Sequence, residues 1–552
     1  MPSISKNRSI IVFAGFVFIY LLIVLNLYFI QIIHGMFYQD LKNRQYLITV
    51  TTMPARAPIF DRTGASLALN KESLTAFILP RELESPETLL PFLQHYFPKA
   101  YERFEQYKNH HFMYIQRRLS PEQQAAIERA NIKDIKFLQE PSRYYPMPSV
   151  GQLIGITDID NKGLFGIEML FNEQLAGEAT TVALARDARS SKFYFHKETT
   201  APGKKPEPIQ LTIDGTLQYL VHHELQKVVT QWQAKGGSAL VLDPQSGEIL
   251  AIANVPDFDP NKSDALDMEC TNNSAIIDTY ELGSVIKTFA ALAALEEGVT
   301  TPDEIIDCKN TRSTYIDGRK INTVYPGGKL TFSQVIEQSN NIGIAQVTKR
   351  LGPKIYDHYL RLGFGQKTHI PFPGEQKGFV NHPSQWSKQS LFSLSYGYEI
   401  RCSLIQLARA FCIIARNGQD IQLQLIRATT KSPIPTTNDT RLYQPETIEM
   451  LKKMLEATAK RRRRRASPFD AYRIMSKTGT ANILIDGEYN PDRNLYTCAG
   501  IIESLSRTEH PYQRVIVVLV KEVPRKNMYA ATVAAPLFDI IAEKVVIHDK
   551  AL

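Results

Sequence analysis

The sequence predicts an α/β (α+β) sheet domain over residues 206–552, preceded by a mixed α+β region at 34–205 and one transmembrane helix at 10–33. Three observations predict it. No charged residue occurs between Ser9 and Ile33. Strand-like runs alternate with amphipathic helical stretches up to Thr199–Pro208 (TTAPGKKPEP), which reads as a linker or exposed connection. Beyond it, β-branched strands stand at both ends of the remaining chain with helices between, the pattern of one layered sheet. Composition agrees: 552 residues with 43% hydrophobic and 22% charged side chains exclude disorder, collagen and coiled coil as descriptions of the whole. The net charge of +8 is mild for this length, and no nucleic-acid partner is expected.

Taken in order, residues 1–9 form a short tail and Ile10–Ile33 the span. As a helix this run is about 36 Å long at a 1.5 Å rise, against a hydrocarbon core of about 30 Å. Lys6 and Arg8 precede it, so the tail is expected in the cytoplasm and the rest across the membrane. A cleaved signal peptide would need a shorter apolar core and a small-residue cleavage site, whereas Gln31, His34, Met36 and Phe37 occupy that place.

In 34–205, Gln45–Thr52 and Leu74–Leu79 read as strands, and Pro86–His95 and Ser120–Ala130 as helices, with Ser120 an N-cap and Pro121 at the first helical position. After the connection, Ile209–Ile213 is a strand signal and Leu217–Gln233 a helix. Gly237–Leu242 and Glu248–Ala253 are strands joined by the turn Asp243-Pro-Gln-Ser-Gly247. Arg514–Lys521 is a strand and Ala534–Val546 a closing helix. Five cysteines without a close pair exclude a disulfide-dense scaffold and argue against a zinc ribbon. Cys402 and Cys412 are expected on one helix, about 15 Å apart and unable to pair there.

Three motifs carry the chemistry. Ser284-Val285-Ile286-Lys287 opens a helix, Ser284–Glu297, that is apolar on most faces. Spacing i, i+3 sets the hydroxyl beside the amine. A serine is a poor nucleophile until a base takes its proton, and burial favours a neutral lysine able to do so. The helix start also offers backbone N–H groups to an oxyanion. The pattern alone is weak, since Ser3-Ile4-Ser5-Lys6 matches it in the tail, and an isolated match is usually a solvated pair. The context is what counts: a lysine starting a buried helix is costly unless paired or neutral. Ser339-Asn340-Asn341 follows the helix Thr331–Gln338, and its hydroxyl and carboxamide can relay a proton and hold an amide; alone it reads equally as a helix cap. Lys477-Thr478-Gly479-Thr480 follows the strand Tyr472–Ser476; a glycine there lets another backbone approach closely, and Lys and Thr suit a carboxylate-bearing peptide.

S-x-x-K, S-x-N and K-T-G in this order are the set shared by penicillin-binding proteins and serine β-lactamases. The chain resembles the class B penicillin-binding proteins, and among them the division-type (FtsI-like) peptidoglycan D,D-transpeptidases. Arg56–Gly64 (RAPIFDRTG), Arg143–Pro146 (RYYP) and Gly163–Glu168 (GLFGIE) are similar to signatures of that family's pedestal. Leu211–Asp214, Asp243–Ala251, Ser395–Tyr398 (SYGY) and Gln406–Ala408 are similar to segments of its penicillin-binding domain. Ala57, Leu282 and Cys402-Ser403 depart from the family's usual Gly, Pro and Thr-Pro, and an arginine run stands where a Gly-rich loop is common.

The resemblance implies a penicillin-binding, serine-transpeptidase-like sheet domain on a dimerisation-like pedestal. It implies Ser284 as nucleophile, Lys287 as general base, Ser339 as proton relay and Asn341 as orienter. Lys477, Thr478, Gly479 and Thr480 would bind the substrate carboxylate, and the N–H groups of Ser284 and Thr480 would form an oxyanion hole. It implies peptidoglycan stem peptides as substrate, β-lactam antibiotics as inhibitors, a membrane-embedded SEDS-family (FtsW-like) glycan polymerase and other division proteins as partners, and no metal or organic cofactor. The expected place is the bacterial inner membrane, single-pass, with the catalytic domain in the periplasm at the septum. The stretch ahead of the pedestal is too short for a glycosyltransferase domain, so a bifunctional class A enzyme is not expected. An elongation-type transpeptidase and a D,D-carboxypeptidase or β-lactamase-type hydrolase are the alternatives. The arginine run Arg461–Arg465, which with Lys460 makes six consecutive positive charges, reads either as a solvated loop or as a contact for anionic lipid headgroups or a precursor pyrophosphate.

Overall fold

The computed structural model describes residues 6–38, 47–52, 54–186, 193–201, 203–262, 266–427, 440–462, 471–505, 511–525 and 528–551. They fall into two compact units, Met1–Arg56 with Ala176–Glu207, and Ala57–Leu175 with Pro208–Leu552.

In the first unit, the helix Lys6–Tyr28 continues through one π-helical turn, Phe29–Ile33. Within its residues 7–33 an 18-residue stretch reaches a mean hydropathy of 2.8, none of it buried. It is long and apolar enough to cross a membrane. The strands Leu47–Thr52, Thr180–Arg186 and Phe193–Ala201 form an antiparallel sheet. The strand expected at Gln45–Thr52 thus runs from Leu47, its first two residues lying outside those described. The expected connection begins later than the composition suggests. Thr199-Thr200-Ala201 still pairs as strand, because β-branched residues suit a ladder and the proline and glycine that break it come after.

The second unit opens with its own small sheet, in which Ser66–Ile78 pairs with Ile59–Phe60, Met113–Gln116 and Lys136–Tyr144. The helices Pro86–Tyr96 and Pro98–Tyr107 bury Leu89, Leu93, Phe97 and Phe104 in the core beneath it. Ser120 caps Pro121–Ala130 as expected, in a reciprocal box with Gln123 at 3.2 and 2.9 Å. Of the strand expected at Ile209–Ile213, only Ile209–Gln210 pairs, parallel to Ile59–Phe60. From Leu211 the chain turns to a single bridge with Ile426, and the Thr212 hydroxyl bonds the carbonyls of Ile249 and Gln424.

The main sheet follows. Helix α1 (Gly215–Trp232) leads to strands β1 (Gly236–Leu242) and β2 (Ile249–Val255). Helices α2 (Lys287–Glu296), α3 (Phe332–Glu337), α4 (Asn341–Leu351) and α5 (Pro445–Arg462) intervene. Strands β3 (Tyr472–Ile485), β4 (Glu488–Ser504) and β5 (Gln513–Lys521) complete the sheet, and α6 (Ala530–Ala551) closes the chain. The order is β2-β1-β5-β4-β3, antiparallel throughout. β5 shows why the sheet is central. Val515, Val517 and Leu519 face one core, with α2, α3 and α4. Ile516, Val518 and Val520 face the other, with α1 and α6. A strand covered on both faces reads as an unbroken apolar run, and each such side chain contributes about 1.5–3 kcal/mol on burial.

Three expectations need correction. The α-helix of the first motif begins at Lys287, not Ser284; Gly283–Ile286 is a 3₁₀ turn leading into it, because Gly283 enters with φ +59° and the first turn tightens. Cys402 is not on the helix of Cys412. A capping box between Ser403 and Gln406 starts that helix at Leu404, and all five cysteines are free thiols. Arg461 and Arg462 are not loop residues but the last residues of α5; Arg463–Arg465 lie outside the described residues.

Candidate active site

Four elements deliver the site. The 3₁₀ turn Gly283–Ile286 presents Ser284, half-buried, and α2 begins with Lys287, fully buried. α3 starts at its Thr331–Gln334 capping box and ends just before Ser339, which takes φ +56°, a left-handed conformation that reverses the chain into α4. The Asn340 side chain caps α4 by accepting from the N–H of Gly343 at 2.9 Å, and its own amide donates to the Tyr325 carbonyl. Asn341 then opens α4. Its Nδ2 donates to the Asn322 carbonyl at 2.7 Å, which turns Oδ1 toward Lys287. β3, the edge strand, carries Lys477 to Thr480.

These residues meet. Lys287 Nζ lies 3.1 Å from Ser284 Oγ, 2.7 Å from the Ser339 carbonyl, 3.1 Å from Ser339 Oγ and 2.5 Å from Asn341 Oδ1. Lys477 Nζ donates to Ser339 Oγ at 3.0 Å and to its neighbour's carbonyl, Thr478 O, at 3.1 Å. The Thr480 hydroxyl accepts from the N–H of Ala530, the first residue of α6, at 3.0 Å. Thr478 and Thr480 line the same cavity of about 420 Å³ as Ser284, Ser339 and Asn341.

Backbone approach fixes the turn against the strand. A Cβ on Gly479 would lie 2.2 Å from the Leu282 carbonyl, and one on Gly397 would lie 2.1 Å from that of Gly283. Both glycines are therefore steric requirements, as the strand glycine was expected to be.

The electrostatics follow from burial. Lys287 is held well below the usual lysine range by desolvation and by the neighbouring charge of Lys477. Burial pushes Lys477 down to about 8. The Ser339 carbonyl and Asn341 Oδ1 only accept. They occupy both N–H bonds of a neutral Lys287 amine and leave its lone pair for a hydroxyl proton.

The penicillin binding protein transpeptidase domain model matches residues 237–543, and the penicillin-binding protein dimerisation domain model matches residues 51–211. The chain is 30% identical, over 97% of its length and 92% of the relative's, to the probable peptidoglycan D,D-transpeptidase PenA of Neisseria meningitidis. The chain belongs to the class B penicillin-binding proteins. It is thus a serine D,D-transpeptidase of peptidoglycan. The peptidoglycan D,D-transpeptidase FtsI of Escherichia coli is a further relative of this penicillin-binding protein, 27% identical over 88% of this chain and 82% of that one. Among solved structures, a peptidoglycan synthetase of Bifidobacterium adolescentis superposes with a TM-score of 0.70 at 21% identity, covering 91% of this chain and 97% of its own. Penicillin binding protein 3 of Mycobacterium tuberculosis, complexed with aztreonam, does so with 0.67 at 23%, over the same shares.

Motif reading missed part of this cleft. Val324 and Tyr325 form one wall, Tyr396 and Tyr398 another, and Asn482 with Tyr529–Thr532 a third. Ser395–Tyr398 was legible as a family segment, but nothing in its spacing placed the two rings beside Ser284. Tyr529 and Thr532 carry no local signal; they arrive through the start of α6.

Proposed function

We propose that Ser284, Lys287, Ser339 and Asn341 are the catalytic residues of a septal cross-linking enzyme, and that Lys477, Thr478, Gly479 and Thr480 bind the donor peptide. The observation that carries this reading is the Lys287 amine, saturated by two acceptors and 3.1 Å from the Ser284 hydroxyl. Lys287 takes the Ser284 proton as Oγ bonds to the carbonyl between two D-alanines. The N–H groups of Ser284 and Thr480 receive the oxyanion. The C–N bond breaks as Ser339 passes a proton to the leaving amine, and free D-alanine departs. An amine of a second stem peptide attacks the acyl-enzyme, returns the proton to Ser284 Oγ and leaves a cross-link. Lys477 and Thr478 hold the terminal carboxylate, with Thr480 beside them. A β-lactam entering as the donor leaves Ser284 acylated, in keeping with the aztreonam and ampicillin complexes of the Mycobacterium tuberculosis relative.

The finer reading is septal. It places residues 1–9 in the cytoplasm, 10–33 in the inner membrane, and a pedestal at 34–205 and a transpeptidase domain at 206–552 in the periplasm. An FtsW-like polymerase is its partner. Lys6 and Arg8 ahead of the apolar helix support the orientation, and the likeness to FtsI supports the division role.

Labelling with a fluorescent penicillin tests the chemistry. The native chain is expected to take the label and Ser284→Ala to lose it, and products of native enzyme should contain cross-linked dimers; trimmed monomers alone reject the transpeptidase. Depletion should give filaments, with a fluorescent fusion at midcell. Rounded cells with the fusion along the side wall would instead point to elongation.

A further inference from the structure

The helix that begins at Asn341 carries a second hollow. The hairpin of strands Ser313–Ile316 and Arg319–Asn322 packs on α4 through Ile316 and Ile321. Beside it lies a cavity of about 330 Å³ lined by Lys309, Thr314, Tyr315, Asp317, Gln346 and Lys349, with Ile316. Gln346 and Lys349 stand about 8 and 12 Å along the helix axis from Asn341, at a 1.5 Å rise. An extended peptide covers the longer of these distances in about three or four residues.

This hairpin is tied to the catalytic site. Asn322 O and Thr323 Oγ1 accept from the side chain and backbone of Asn341 at 2.7 and 3.3 Å, and Val324 and Tyr325 continue into the wall of the catalytic cavity. Cations outnumber anions around it, although Asp307 and the lining Asp317 each hold one lysine. Lys309 pairs with Asp307 at 2.5 Å and Lys349 with Asp317 at 2.6 Å, each pair about half exposed and so readily exchanged for another anion. Arg312, Arg319 and Lys320 are exposed and make no ion pair among the described residues. Lys320 stands opposite Tyr315, whose ring is 71% exposed at the cavity rim.

Resting on the Ser284 reading, we propose that this hollow is a second peptide subsite, taking a carboxylate of the substrate strand three or four residues from the reacting bond. Lys349 and Lys320 supply the positive charge, Gln346, whose Nε2 donates to the Asp307 carbonyl at 2.5 Å, accepts a peptide N–H through Oε1, and Tyr315 gives an apolar wall for the strand.

The test uses the full chain in detergent with two synthetic donor peptides. They are identical except that a carboxylate three or four residues before the reacting bond is replaced by its amide. The native enzyme is expected to favour the carboxylate peptide by about fivefold in KM, the size of one exposed charge pair. The double variant Lys320→Gln, Lys349→Gln should erase that preference while kcat and the penicillin acylation rate stay unchanged. Gln346→Ala should raise KM for both peptides without changing their ratio. A native chain that shows no preference, yet labels normally with penicillin, overturns the subsite alone. A native chain that takes no penicillin label overturns the Ser284 reading and this one with it. Loss of binding to vesicles of anionic lipid in the double variant, without a change in peptide preference, assigns the cations to headgroups and overturns the proposal.

Discussion

Two buried amines share one serine hydroxyl: Ser339 Oγ lies 3.1 Å from Lys287 Nζ and 3.0 Å from Lys477 Nζ. Two cations could not both be tolerated there without large cost, so the site divides the roles, one amine neutral and one charged. A neutral base works only above its pKa, and a cation that holds a carboxylate only below its own. Acylation should therefore rise with pH through the depressed Lys287 titration and fall near pH 8, where Lys477 loses its proton. Stopped-flow acylation by a β-lactam across pH checks this, and a rate still climbing well above pH 8 would contradict it. At this scale the motifs made the polar residues legible, since their types and order point to one chemistry. The conformation of Ser339 was not legible. A non-glycine residue at φ +56° is set by what surrounds it, here the end of α3 and the Asn340 cap on α4.

Helix α5 packs against α2, α3 and β3, the elements that deliver Lys287, Ser339 and Lys477. Ile448, Leu451 and Leu455 bury its apolar stripe in the core of the site. Its polar groups fix its ends. Arg473 of β3 reaches Glu456 at 2.7 Å and Glu449 at 3.1 Å. Arg462 makes a bidentate pair with Asp539 of α6 at 2.6 and 2.9 Å, and reaches Ser476, next to Lys477, at 3.4 Å. The Arg461–Glu337 pair at 3.4 Å is half exposed and contributes little. Arg462→Ala should cost about 1.5–3 kcal/mol, because it removes a bidentate, charge-assisted pair with a half-buried carboxylate, and should slow penicillin acylation as β3 loosens. Urea unfolding and acylation kinetics on one preparation check both; an unchanged midpoint would show the pair to be idle. The arginine run illustrates the limit of composition. Six consecutive cations read as a solvated or ligand-facing loop, yet Arg462 is spent on a neighbour distant in sequence, Asp539.

Over the whole molecule, apolar runs revealed strands at both ends of the main sheet domain with helices between, because a strand such as β5 leaves no polar residue between Val515 and Val520; the long strand β4 and the division of the helices between two faces were not read. The apolar N-terminal helix was equally plain. What stayed hidden was tertiary: the parallel pairing of Ile209–Gln210 with Ile59–Phe60, and the arrival of α6 at the cleft. Both depend on contacts between residues far apart, which no local pattern encodes. The free thiols bear on how the molecule is made. Four of the five sulfur atoms are enclosed among apolar side chains, and burial raises Cys308, Cys402, Cys412 and Cys498 above the ordinary thiol range, so little reactive thiolate forms. The fold holds no disulfide, so the chain should melt at the same temperature with or without dithiothreitol. It tolerates either redox climate because its architecture has no covalent clasp to lose.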